Sequence, residues 1–195
     1  MIPQRIAAKF LVEPDPAAAV ALEPVIGLFH RFIQEQSLPG LLLDVADYAH
    51  VPDGPGVVLI GHDVDYGIDL VGGQAGLLVV RKRFSGQAFG EVLRDTLGRA
   101  LTAAQVIGEE SDLGLRFASD ALTLHFFDRL TTPNSDEAFE SVRAEVEPVA
   151  ECLYGAASYE LNRVHSEDRR KALSLSIRGS GEIAPPSALV ERLSA

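Results

Sequence analysis

A single cysteine, Cys152, stands in 195 residues, which excludes an intramolecular disulfide and with it any CxxC or zinc-knuckle site. A reducing compartment is the simplest setting for such a chain. Long apolar runs are missing as well. The longest are broken by Asp44, His62 or Gly27, so none reaches the roughly 18 to 20 residues that a membrane-spanning helix needs. The opening Met1-Ile2-Pro3-Gln4-Arg5-Ile6 runs straight into a strand-like pattern, without the features of a secretory signal. These absences predict a soluble, cytoplasmic protein with no membrane partner. Positive charge is scarce too: Lys9, Lys82 and Lys171 are the only lysines and the formal net charge is −11. A field of that sign repels phosphate backbones, so nucleic acid is not an expected partner. The short basic runs Arg81-Lys82-Arg83 and Arg169-Arg170-Lys171 read as solvated strand ends and turns.

Several motifs are absent. Neither Gly72-Gly73-Gln74-Ala75-Gly76 nor Gly54-Pro55-Gly56 follows a phosphate-loop or dinucleotide pattern leading into a helix, and both read as turns. There is no HExxH and no glycine-flanked serine between strand and helix. Cys152 lies beside Leu153 near the end of a helical pattern and reads as a structural thiol. No cofactor and no metal site is expected. Asp63, Asp65 and Asp69 share one parity and could face a hard cation, yet without calcium-loop geometry they read as a solvated outer strand face.

The chain has 47% hydrophobic and 23% charged residues, ordinary proportions for a globular protein, and at this length one core is expected in a single α+β domain spanning residues 1–195. Arg5 to Glu13 alternates as a first strand, with Ile6, Ala8 and Phe10 on one side. Val25, Leu28, Phe29, Phe32 and Ile33 recur at helical spacing behind Pro24, and Pro39-Gly40 ends that helix. Leu41 to Tyr48 reads as a strand covered on both sides, with Asp44 and Asp47 on opposite faces. From Val58 to Leu70 one parity holds Val58, Ile60, His62, Val64, Tyr66, Ile68 and Leu70. This predicts one long bent strand, or two joined at a bulge near Gly61 or Gly67.

Leu77 to Arg83 follows as a strand. A helix capped by Ser85 then runs from about Gln87 to Ile107 on a stripe of Phe89, Leu93, Leu97, Ala100, Ala104 and Ile107. Leu113, Leu115 and Phe117 mirror Leu122, Leu124 and Phe126 about Ser119-Asp120, which predicts a hairpin pairing Leu115 with Leu124 and Phe117 with Leu122. Asn134 and Glu137 resemble a capping box for a third helix, whose stripe is Phe139, Val142, Val146, Val149 and Leu153, with Gly155 at its end and a bend at Pro148. A last hairpin sets Tyr159 and Leu161 against Leu175 and Ile177, and Pro185-Pro186 opens a short final helix. The predicted order is β-α-β-β-β-α-β-β-α-β-β-α, a mainly antiparallel sheet with three main helices packed on one face and a suggestion of αββ pseudo-repeats.

His30-Arg31-Phe32-Ile33-Gln34, Asp44-Val45-Ala46-Asp47-Tyr48, Gly54-Pro55-Gly56 and Gly61-His62 together resemble an uncharacterised family of small soluble bacterial proteins with no assigned activity. The resemblance covers mainly residues 24–83. It implies a bacterial stand-alone protein and no catalytic residue.

One ionisable side chain stands out. His62 shares its parity with Ile60 and Val64, which places an imidazole on an apolar face, where it needs hydrogen-bond partners. Asp44, Asp47, Tyr48 and Tyr66 are the nearest candidates by topology, and such a cluster could supply a general base or a ligand contact. The alternative is a core histidine satisfied by a carboxylate or carbonyl. His125, His165 and His30 read as no site by themselves. With no complete catalytic constellation, the leading expectation is a non-catalytic binding or protein-interaction module, taking a small-molecule ligand or a protein partner. The rival is a small hydrolase or isomerase using His62 with Asp44 or Asp47 in a cleft.

Overall fold

The computed structural model describes residues 3–17, 19–84, 86–110, 112–156 and 158–194. Eight strands form one sheet: β1 (Ile6–Leu11), β2 (Leu42–Tyr48), β3 (Gly56–Gly61), β4 (Val64–Asp69), β5 (Gly76–Arg81), β6 (Ala121–Phe126), β7 (Tyr159–Val164) and β8 (Leu173–Gly179). Their spatial order is β2-β3-β4-β5-β1-β6-β8-β7, and every neighbouring pair is antiparallel. Four helices complete the fold: α1 (Glu23–Glu35), α2 (Phe89–Gly108), α3 (Asp136–Tyr154) and α4 (Pro186–Ser194). The class is therefore α+β with an antiparallel sheet. The αββ pseudo-repeat is not seen in the order, since four strands follow α1, one follows α2 and two follow α3.

Strand alternation divides the sheet into two faces. Ile6, Ala8 and Phe10 of β1, Tyr66 and Ile68 of β4, Leu77 and Val79 of β5, Leu124 and Phe126 of β6 and Leu175 of β8 are all buried in one hydrophobic core. The helices close over that face. The stripe Phe89, Leu93, Leu97, Ala100, Ala104 and Ile107 of α2 is buried there as its spacing predicts, and so are Val142, Val146, Val149 and Leu153 of α3. Each apolar side chain so removed from water contributes about 1.5 to 3 kcal/mol. Among the described residues no helix is long and apolar enough to cross a membrane.

Five local expectations change. Val58 to Leu70 is two strands, because the chain reverses at His62-Asp63 and the parity flips. Val58 and Ile60 now point away from the core, while Val64, Tyr66 and Ile68 point into it. Side chains hold the reversal. Asp65 accepts the Gly61 N–H at 3.1 Å, and Lys82 Nζ donates to the Gly61 carbonyl at 2.9 Å and to Asp65 at 2.7 Å. The chain returns so closely that a Cβ on Gly61 would lie 2.2 Å from the Val64 carbonyl oxygen, so only glycine fits.

The hairpin expected at Ser119-Asp120 does not form. Residues 113–117 make no strand; Phe117 forms an isolated bridge with Val12, and the Ala118 N–H reaches the Leu11 carbonyl at 2.8 Å. β6 lies instead between β1 and β8, with Leu124 opposite Ala8 and Leu175. The six residues still avoid water, five of them buried and Leu113 partly so, which is why an alternating pattern alone misassigned their partners.

β2 is an edge strand, not one covered on both sides: Leu43 is 52% exposed, at a register shift between Leu42 and Asp44. Asn134 does not cap α3. Ser135 does, accepting the Ala138 N–H at 3.3 Å, while buried Asn134 donates to the carbonyls of His165 and Asp168 and accepts from Arg163 Nε. The cap expected at Ser85 lies outside the described residues. The final hairpin forms two residues out of the expected register, Leu161 facing Ile177, Tyr159 facing Gly179 and Leu175 facing Arg163.

Candidate functional site

The proposed His62 cluster is dispersed by that reversal. His62 sits in the β3–β4 turn with its side chain 52% exposed, where Arg83 Nη1 donates to Nδ1 at 2.9 Å and Asp63 lies 3.7 Å from Nε2. Asp44 and Asp47 are exposed on β2 and accept the backbone N–H groups of Val45 and Ala49, each at 2.8 Å. Tyr66 is fully buried under the helices and donates to the Pro39 carbonyl at 2.7 Å. Burial raises its phenol above the ordinary value, and Arg99 nearby works against that rise. Of the five candidates Tyr48 alone borders the largest hollow described below.

That hollow lies on the sheet face without helices. Its volume is about 440 Å³, and Ala46, Val58, Ile60, Leu78 and Val80 form an apolar floor around Gly67. Tyr48, Pro55, Arg5 and Phe127 border it. A second hollow of about 300 Å³ adjoins it, sharing Asp69, Leu78 and Phe127 and adding Lys9, Thr123, His125 and His165. A third of about 160 Å³ continues over β6, β8 and β7, between Thr123, Asn162, Ser176 and Arg178. The open face thus grades from apolar at β2–β5 to polar at β6–β8.

Charge on this face is matched in place. Lys9, 8% exposed, donates to Asp69 at 2.5 Å, to the Gln74 carbonyl at 2.8 Å and to the Val71 carbonyl at 3.3 Å. All three ammonium hydrogens are therefore used. To reach Asp69 on β4 the lysine stem crosses β5 at Gly76, where a Cβ would stand 2.8 Å from Lys9 Cε and 2.6 Å from the Phe10 carbonyl oxygen. The second pair, Lys82 with Asp65, is partly buried. The acidic residues read as a solvated outer face are in fact lysine partners, except Asp63 at the turn. Of the basic run, Arg81 is buried on the helix side, 3.4 Å from Asp95, and only Arg83 is solvated as expected.

His125 is the least expected member. Its Nδ1 lies 2.8 Å from Ser174 Oγ, and that hydroxyl donates to the Ala172 carbonyl at 3.2 Å. The tautomer that satisfies both contacts has Nδ1–H donating to Ser174, with Nε2 unprotonated and without a partner among the described residues. The ring stacks on Phe127, centroids 5.9 Å apart and 9° from parallel, and Arg5 sits 5.8 Å over the other aromatic centre. Burial first, then the charge of Lys9, then His165, lower His125 to about 4, so the imidazole is neutral at pH 7.

Sequence reasoning placed His125 beside Thr123 on one face but gave it no role; Lys9 and Phe127 were passed over, and Asp69 was read as part of a solvated outer strand face. A lone lysine between Ala7 and Leu11, and an aromatic pair that breaks alternation at Phe126-Phe127, are the signals that were there to find. Among the described residues no three of His, Cys, Asp and Glu converge as a metal would require. Cys152 donates to the Arg192 carbonyl at 2.8 Å, away from these hollows. No protein-family model matches the chain, and no curated protein matches it either.

Proposed function

We propose that the chain is a non-catalytic binding module that takes a small, largely apolar molecule on the open face of its sheet. What supports this is the 440 Å³ hollow itself, an apolar floor of Val58, Ile60, Leu78 and Val80 on a face that no helix covers. A hollow of this size falls within the range of small-molecule sites, whereas a protein partner would favour a flatter patch. The rival, a hydrolase or isomerase using His62 with Asp44 or Asp47, lacks such support, because all three side chains are exposed and none borders these hollows. A reducing, cytoplasmic setting suits the lone thiol, the resemblance over residues 24–83 suits a bacterial source, and the net charge of −11 disfavours nucleic acid.

The test is fluorescence of N-phenyl-1-naphthylamine, an uncharged probe that brightens in apolar sites. Wild-type protein should saturate with it, and Leu78→Gln, at the junction of the two hollows, should weaken binding about ten-fold with the fold intact. Equal binding by Leu78→Gln, or none by wild type, would remove the reading.

A further inference from the structure

The two adjoining hollows differ in what they can satisfy. In the floor of the first the charged groups are already engaged, Asp65 by Lys82 and the Gly61 N–H and Asp69 by Lys9, and the Tyr48 hydroxyl and Arg5 stand at its border. In the second, Lys9 has no hydrogen left to give. The polar groups there without partners among the described residues include the Nε2 of His125 and the hydroxyl of Thr123 two residues along the same face of β6, with the side chains of His165 and Gln74 at the border. Leu78 and Phe127 border both hollows, so one molecule can lie across them.

From this we infer that the ligand of the open face is an uncharged, mainly apolar molecule carrying a hydroxyl, which donates to His125 Nε2 while the body lies over Phe127 and Leu78 into the apolar hollow. The inference rests on the open face being the binding site. One tautomer satisfies both contacts behind the ring: the Ser174 hydroxyl donates to the Ala172 carbonyl and accepts from Nδ1–H, and in it the free nitrogen is an acceptor that selects a donor. Charge argues the same way. A carboxylate placed here would meet an unprotonated acceptor beside Asp69, and an ammonium would meet Lys9. Of the other cations near the two hollows, Lys82 is held by Asp65 and the Gly61 carbonyl, and Arg5 stands exposed at the rim over Phe127. A neutral donor is the group for which no charge must be stripped of water without compensation.

Three probes of one shape separate the possibilities: naphthalene, 2-naphthol and 2-naphthoate, titrated calorimetrically into the full chain. 2-Naphthol should bind about ten-fold more tightly than either of the others, the worth of one good hydrogen bond. His125→Phe should abolish the preference for 2-naphthol over naphthalene. In parallel, 15N spectra of wild type should show His125 as the Nδ1–H tautomer, with the Nε2 resonance moving on saturation with 2-naphthol. Tighter binding of 2-naphthoate, a preference that survives in His125→Phe, or an Nε2–H tautomer would each overturn the inference while the open-face site stands. If none of the three probes binds, the site itself fails and the inference with it.

Discussion

The same strands present two different surfaces, and the contrast between them locates the site. On one face Phe10, Tyr66, Leu77, Val79, Leu124 and Phe126 are all at 1% exposure or less beneath α2 and its neighbours. On the other, the interleaved residues Lys9, Asp65, Leu78, Val80, Thr123 and His125 line shallow hollows with no helix above them. The covered face is stabilised by close packing, where every lost methylene leaves a void. The open face is held by a few specific polar contacts set among partly exposed apolar residues. A sheet with both surfaces alike would be a structural layer; here one surface makes the fold and no helix lines the hollows of the other.

Breaking the lysine clamp should have the largest effect. Lys9→Met leaves the Asp69 carboxylate buried without its cation, and should cost about 3 to 5 kcal/mol in urea titrations. The double variant Lys9→Met with Asp69→Leu should recover much of that loss. If Lys9→Met melts like wild type, the pair is not what joins β1 to the β4–β5 connection.

Next comes the covered face. Leu97→Ala, in the middle of the α2 stripe, should cost about 2 to 5 kcal/mol because the cavity it leaves is closed by rigid neighbours. The difference from an open-face truncation, given last, is the measure of the contrast between the faces.

Acid should act on the open face through His125. Its folded-state value of about 4 lies below the ordinary 6.5, so between these limits the unfolded chain binds more protons and stability rises with pH. The stability is fully present above about 6.5 and falls as the pH drops toward 4, by about 3 kcal/mol at most. Subtracting the profile of His125→Gln isolates this contribution from that of the carboxylates. Parallel profiles for the two proteins would show that the imidazole is not held neutral.

The smallest effect is expected from Ile60→Val on the open face, under about 1 kcal/mol, because the side chain is only partly buried and the hollow above it is open to water. A loss as large as that of Leu97→Ala would mean that the two faces are packed alike.

Legibility in the sequence followed the range of the interactions. The helical stripes of α1, α2 and α3 could be read because an i, i+3, i+4 pattern records burial within a single element. The strands of β1, β5 and β8 were legible from alternation for the same reason. The reversal at His62-Asp63 was not, because a period of two continues unbroken through a tight turn if the residues on both sides happen to be apolar. Only the pull of Lys82, from β5, on Gly61 and Asp65 shows where the chain must turn. Moving that turn moved His62 from the expected interior to the surface and dissolved the candidate cluster around it. Similarly, Leu122, Leu124 and Phe126 announced a strand but not its neighbours, which are β1 and β8.

Composition and local periodicity therefore determined the α+β class, the antiparallel character and which helix faces are buried, since each depends on residues near one another in the chain. Strand order, the uncovered face and the company kept by Lys9 and His125 were decided only in the tertiary structure. Asp69 is 60 residues from Lys9 and Ser174 is 49 residues from His125. Such pairs meet because the sheet brings β4 and β5 to one side of β1, and β6 and β8 to the other. A lone lysine or histidine carries no trace of a partner that distant until the strands between them have been placed.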